Sequence, residues 1–195
     1  MNYEDMPLLL EPGYLPLETG YTILPSGELF VAVCNQLHGC KAEMLDWWFG
    51  HFETVEDFQE WHPDDHLWHI WNDKWRPGYY IGAAHTARQK IAGKEPQYST
   101  IHFEDPLTMF DEKHLADSRA TVVLAYSTAG EYGDSEEKAG RFVHCARDTK
   151  FGCELRSRFW LTTNSEDFGP LLIDHCFNEY SNCAEIWPRI FADRI

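Results

Sequence analysis

His175 and Glu179 lie four residues apart in the segment LLIDHCFNEYSNCAE, where Leu171, Leu172, Cys176, Tyr180 and Cys183 recur at helical spacing. On a helix, residues i and i+4 share a face about one turn apart. An imidazole and a carboxylate so placed form a two-point clamp for a divalent metal such as zinc. A single pair of this kind also arises by chance in a chain with 10 histidines and 32 acidic residues. A second cluster strengthens the metal reading: WHPDDHLWHIW gathers His62, His66 and His69 within eight residues. Pro63, followed by Asp64 and Asp65, reads as a helix start, because proline suits the first helical position and acids favour the positive end. On such a helix His66 shares a face with both His62 and His69. Neutral imidazole is the commonest zinc ligand, and an acid such as Asp65 can orient it. The plainer alternative is an amphipathic helix on which these histidines sit beside Trp61, Trp68 and Trp71.

Two further stretches carry polar groups at regular spacing. From Tyr80 to Ile91, alternation places His85, Ala87, Gln89 and Ile91 on one strand face, which suits a cavity lining or a solvent face. RFVHCARDTKFGCELRSRFW holds His144, Arg147, Glu154, Arg156 and Arg158 in a hairpin around Asp148–Gly152. Its alternating arginines read as surface ion pairs. The chain has no G-x-G-x-x-G, Walker loop, G-x-S-x-G elbow or H-E-x-x-H, which disfavours a nucleotide cofactor.

The elements that must position these groups follow from pattern. Residues 1–20, rich in Pro, Gly and acids, read as an irregular arm. YTIL, a PSGE turn and LFVAVC then read as a hairpin. KAEMLDWWFGHF has helical spacing, and T-V-E-D opens a second short helix with Thr54 and Asp57 as a capping box. From Tyr79 short strand-like runs follow one another, interrupted by a charged loop at Asp134–Ala139. The C-terminal stretch returns to a helix that Pro188 is expected to kink or end. Segregated strands and helices imply α+β, with residues 21–195 as one domain. A curved antiparallel sheet gripping the terminal helix would leave a cavity between them.

Composition narrows the function. At 195 residues, 44% hydrophobic and 25% charged, the chain reads as a soluble globular protein with a full core. The net charge of −16 excludes a nucleic-acid binder, which needs a basic surface. No apolar run approaches a membrane span, and the acidic N-terminus is not a signal peptide, so a cytoplasmic location is expected. Six cysteines without a C-x-x-C pair read as reduced, mostly buried thiols. An aromatic fraction of 15%, with 8 tryptophans, fits either a ring-rich core or a pocket for a flat apolar ligand. Oligomeric state stays open, a homo-oligomer included.

MLDWWFGHF (44–52), WHPDDH (61–66), YYIGAAH (79–85), ELRSRFWL (154–161) and DHCFNEY (174–180), in this order, resemble the 2,4-diacetylphloroglucinol hydrolase and phloretin hydrolase family. The resemblance spans roughly residues 20–192. It implies a Bet v 1-like helix-grip fold and a zinc-dependent hydrolase of carbon–carbon bonds next to a ketone. The substrate class it implies is an acylated phenol or polyketide-like aromatic ketone. It also implies a ligand set of two histidines and two glutamates. The later pair falls on His175 and Glu179, and the first histidine on His66, with His62 the alternative. The first glutamate is expected on the strand after YIG, where this chain has Arg88 and Gln89. Gln89 offers a carbonyl oxygen, a weaker zinc ligand than a carboxylate, and His85 is the alternative donor. Cleaving an aryl–acyl bond also needs a proton donor to the ring and donors to its oxygens. By type and neighbourhood His62, His69, Tyr80 and Tyr126 are the candidates. The neutral residue at position 89 keeps two other functions open: an aromatic-binding carrier, and a cyclase or isomerase of a polyketide.

Overall fold

Gly20–Ile23 and Leu29–Ala32 pair as the hairpin predicted for them. β1 (Gly20–Ile23) and β2 (Leu29–His38) are joined by a tight turn in which the Gly27 N–H donates to the Leu24 carbonyl at 2.8 Å. The computed structural model describes residues 1–130, 137–163 and 165–193, so residues 134–136 of the charged loop lie outside it. α1 (Glu43–Phe49) buries Met44, Leu45, Trp48 and Phe49. α2 (Val55–Trp61) begins with the expected capping box. The Thr54 hydroxyl accepts from the Asp57 N–H at 3.1 Å, and the Asp57 carboxylate accepts from the Thr54 N–H at 3.0 Å. Two otherwise orphaned donors are thereby satisfied.

The third helix expected from Pro63 does not form. His62–Asp65 is a turn, and His66–Trp71 is strand β3. The aromatic and branched side chains of HLWHIW suit a pleated surface, and pairing with the next strand overrides the helix-start signal. β4 (Ala84–Gln89), β5 (Gln97–Glu104), β6 (Thr121–Ala129), β7 (Lys138–Thr149) and β8 (Gly152–Leu161) complete the sheet. Its order is β1-β2-β8-β7-β6-β5-β4-β3, antiparallel throughout. A short helix absent from the sequence reading, α3 (Glu112–Ser118), lies between β5 and β6, with Asp111 accepting from the His114 N–H.

α4 (Phe168–Ala192) crosses the inner face of the sheet. It buries Leu172, Cys176, Tyr180 and Cys183 of the stripe that its spacing predicts, together with His175, Ile186 and Trp187, while Leu171 is half-buried. The helix continues through Pro188 to Ala192. Proline forgoes one backbone bond there, just before the final turn, and the burial of Ile186 and Trp187 anchors that end. The Asn35 amide donates to the Phe177 carbonyl at 3.0 Å, tying β2 to α4.

The N-terminal arm covers the outer face. It contains a 3-10 helix at Tyr3–Leu10, whose Met6, Leu9 and Leu10 join Phe30, Leu124, Val143 and Trp160 in a second apolar cluster. Arg156 and Arg158 point into this layer and are 1% and 0% exposed, so the surface ion pairs expected for them are buried ones. Glu18 from the arm bridges both, with Arg156 Nη2 at 2.6 Å from Oε1 and Arg158 Nη2 on Oε2. All six cysteines are free and five are buried. Burial pushes Cys40 and Cys145 up to about 11 and Cys153 up to about 12, so these thiols stay protonated. Among the described residues, no helix is long and apolar enough to cross a membrane.

Candidate metal centre

Four elements converge where α4 passes the β3–β4 edge. α2 ends at His62, whose carbonyl accepts from the His66 N–H at 2.9 Å and turns the chain into β3. β3 then bulges between His66 and Trp68. The extra residue puts His66, His69 and Trp71 opposite Gln89, Ala87 and His85, all on one face. His66 and His69 thus share a face, as expected, but on a bulged strand rather than a helix. From the other side α4 presents His175 and Glu179.

Ligand atoms of His66, His175 and Glu179 lie within 4.8 Å of one another. The His66 Nδ1–H donates to the Phe58 carbonyl at 2.9 Å, which leaves the lone pair on Nε2, 3.5 Å from Glu179 Oε1. The same ring stacks on Phe58 at 3.8 Å, fixing its plane. The His175 Nδ1–H donates to Asp65 Oδ2 at 2.8 Å, which leaves Nε2 as the nitrogen available to a metal. His62 stacks on His175 with centroids 4.8 Å apart, and its Nε2 is 3.7 Å from the same Asp65 oxygen. His62, Asp65 and His175 also have donor atoms within 4.8 Å, sharing His175 with the first group.

The electrostatics suit a dication. Burial holds His66 well below its ordinary pKa, with His175 adding to the effect, so its imidazole is neutral. Burial also lowers His62. The hydrogen bond from His175 holds Asp65 ionised, well below the usual carboxylate range. Burial and the Asp65 charge push Glu179 well above that range. The cluster therefore combines imidazole nitrogens, the His66 one neutral, with two acids. These nitrogen and oxygen donors are those zinc takes, and a dication would offset both acids.

The cluster opens on a cavity of about 110 Å³ between sheet and helix. Phe49, Phe58, Trp61, Phe103, Phe142 and Phe159 wall it, with His66, His85, Gln89, His144, His175, Glu179 and Tyr180 as its polar groups. Ala87 and Ile91 line it too, so the whole strand face His85–Ile91 is a cavity lining.

The expected site residues part company here. Gln89 pairs with His66 across the strands and faces the cavity. His85 pairs with Trp71, four residues or about 13 Å of strand away, and lies outside the donor cluster. His62 stays beside the cluster. His69 is turned away, with Nε2 2.7 Å from the Thr54 carbonyl oxygen. The Tyr80 hydroxyl donates to Asp46 at 2.7 Å and does not line the cavity. Tyr126 is on the wrong face. Val123 and Ala125 point inward, so alternation sends Tyr126 outward, stacked on His102 beneath Lys138. Two cavity groups were missed. His144 alternates inward on β7, with Nδ1 2.7 Å from the Ser157 hydroxyl, and burial pushes it down to about 3. Tyr180 follows Glu179 directly, and its buried hydroxyl has no partner among the described residues. Its place in DHCFNEY was the available signal.

The DAPG hydrolase PhiG domain model matches residues 1–174, stopping one residue before His175. A phloretin hydrolase from Eubacterium ramulus is 22% identical over 206 residues, covering 89% of this chain and 71% of that protein. A 2,4-diacetylphloroglucinol hydrolase from Pseudomonas sp is 37% identical over 67 residues, which is 34% of this chain and 23% of that protein. The fold is that of ginseng major latex-like protein 151 from Panax ginseng, with a TM-score of 0.55 and 11% identity over 80% of this chain and 96% of that one. Norcoclaurine synthase from Thalictrum flavum shares it, with a TM-score of 0.53 and 11% identity over 94% and 99% of the two chains. The architecture is therefore the Bet v 1-like helix-grip, and with the family model matched over residues 1–174 the chain belongs to the DAPG hydrolase family.

Proposed function

We propose that this chain is a zinc-dependent hydrolase that cuts the carbon–carbon bond between an acyl group and a phenolic ring. The observation that carries this reading is the convergence of His66, His175 and Glu179 on an aromatic cavity. These three would hold the metal, with the Gln89 amide oxygen as a fourth donor. Both relatives are named for hydrolysing phenolic ketones, which supports the substrate class. Bound zinc would supply a Lewis acid for the ketone oxygen.

The chain's own groups account for the rest. The net reaction adds water across the aryl–acyl bond. Its oxygen goes to the acyl carbon, a proton goes to the ring carbon, and the bonding pair leaves with the ring. A carboxylic acid and a deacylated phenol result. Rings such as Phe58, Phe103 and Phe159 hold a flat substrate and exclude bulk water. Burial keeps the Tyr180 phenol protonated, so it is a donor for a phenolic oxygen. His144 lines the cavity as a second polar contact. His62, stacked on His175 with centroids 4.8 Å apart, is a titratable group beside the proposed ligands. The free buried thiols support a cytoplasmic location.

A second reading, a carrier for an aromatic ligand, is favoured by the neutral side chain of Gln89. Metal content and product analysis separate the two. The hydrolase should hold zinc near one per chain and release a carboxylic acid from an acylphloroglucinol. His175→Ala or Glu179→Ala should abolish both zinc and turnover. Full turnover in either variant refutes the assignment.

A further inference from the structure

We propose that Asp65 is a positioning residue that locks His175 to the loop after β4 and lends the centre a second negative charge. This rests on the metal reading above. Asp65 is 4% exposed and its carboxylate gathers three donors. Oδ2 accepts from His175 Nδ1 at 2.8 Å and from the Ala92 N–H at 2.9 Å, and Oδ1 accepts from the Gly93 N–H at 3.4 Å. The Asp65 carbonyl also accepts from the Lys90 N–H at 2.9 Å. The His62 Nε2 is 3.7 Å from Oδ2.

The loop is shaped to make these contacts. Ala92 has φ +48 and Gly93 φ +76, successive left-handed residues whose N–H groups turn onto one carboxylate. Alanine adopts that conformation at a cost, so it persists where surrounding contacts over-determine it. Ile91, in the same loop, lines the cavity. One side chain therefore connects a wall of the cavity to a ring on α4.

Charge gives the second argument. Glu179 is the sole carboxylate among the proposed ligands, because Gln89 is neutral. Asp65 is the other acid at the cluster and reaches it through His175. A carboxylate on the outer nitrogen of a metal-binding imidazole fixes the ring and raises its basicity, and losing it typically weakens metal binding about 10–100-fold.

The test measures zinc affinity by competition with a chromophoric chelator, together with amide hydrogen exchange in the chelator-treated protein. Asp65→Asn keeps the side-chain size, removes the charge and turns one acceptor into a donor. It should weaken zinc binding about 10–100-fold. It should also expose the Ala92 and Gly93 amides to faster exchange. Asp65→Glu should recover part of the affinity, because charge matters as well as shape. Should Asp65→Asn fail to fold, the wild-type protein still decides the contact. Its His175 Nδ1 proton should appear in a 1H–15N spectrum as a slowly exchanging imidazole signal, identified by proximity to the His62 ring. Wild-type zinc affinity in Asp65→Asn, an Asp65→Glu no better than Asp65→Asn, or a fast-exchanging His175 Nδ1 proton overturns the proposal. A wild-type chain that takes up no zinc overturns the metal reading instead, and the exchange rates of Ala92 and Gly93 then judge the loop contact alone.

Discussion

Glu179→Gln sets the stability of the metal-free fold against its capacity for zinc. The Glu179 side chain is 12% exposed and sits 3.5 Å from a neutral His66 ring. Burial first, and then the Asp65 charge, raise its pKa well above 4.5. The native state therefore holds this proton more tightly than the unfolded chain does. Stability contributed by the protonated carboxyl is complete below the unfolded pKa and is lost as pH rises through the folded one. Each unit of elevation is worth about 1.4 kcal/mol. At about 2–4 °C per kcal/mol for a chain of this size, that is about 3–6 °C in Tm. Gln keeps the shape of the protonated acid and cannot ionise. In chelator at pH 8, Glu179→Gln should thus melt above the wild type, and the two should converge below the unfolded pKa. Asp65 titrates in both proteins, so its contribution cancels in the comparison. Free zinc at 100 times Kd adds about 2.7 kcal/mol to a protein that binds it, or about 5–11 °C, and this gain should be confined to the wild type. Calorimetric scans at low pH and at pH 8, with chelator and with zinc, read all four combinations. A Glu179→Gln variant that melts below the wild type at pH 8 in chelator refutes the argument that this carboxyl is desolvated and uncompensated.

Gln89→Glu should tighten zinc binding, since a carboxylate is a stronger ligand than a neutral amide. Unchanged affinity removes Gln89 from the ligand set. Glu18→Ala strands Arg156 and Arg158 in the outer layer without their shared carboxylate. The loss should be about 3–5 kcal/mol, or roughly 6–20 °C in Tm by calorimetry, and a shift under 2 °C would show that the arm does not hold them. A chromogenic disulfide reagent at pH 8 should modify at most Cys34 in the folded protein and all six cysteines after denaturation. Rapid labelling of two or more thiols in the native state contradicts the buried, protonated assignment.

Local signals were legible in the sequence and long-range ones were not. Thr54 and Asp57 form their capping box because that device is complete within four residues. The α4 stripe and the His85–Ile91 face follow from single periodicities, 3.6 and 2. WHPDDHLWHIW misleads because Pro63 and two aspartates imitate a helix start, while the bulge at His66–Trp68 breaks the alternation that marks a strand. The shared face of His66 and His69 emerges either way, since a three-residue spacing across a bulge returns to the same side. Arg156 and Arg158 read as surface residues because Glu18, their partner, lies about 140 residues away. Asp65 reads as an orienting acid for the histidines beside it in sequence. Its actual partner, His175, is 110 residues off, and no spacing rule reaches that far.

The placement of the centre follows from how the helix is gripped. α4 packs against β1 and β2 at one end of the sheet order and against α1 and α2. β3 and β4 form the opposite end, and the cavity lies between them and the helix. Apolar packing does not close that gap; it is spanned by polar groups, with Asp65 on His175 and His66 beside Glu179. A buried gap spanned in this way carries an uncompensated acid, and the physical remedy available to these donors is a cation shared between helix and sheet. The same spacing leaves the cavity of about 110 Å³ that Phe58 and Phe103 line. Substrate room and metal affinity therefore come from one structural choice, the refusal of α4 to pack onto β3 and β4. Filling the gap with larger apolar side chains would be expected to raise stability and to remove both together.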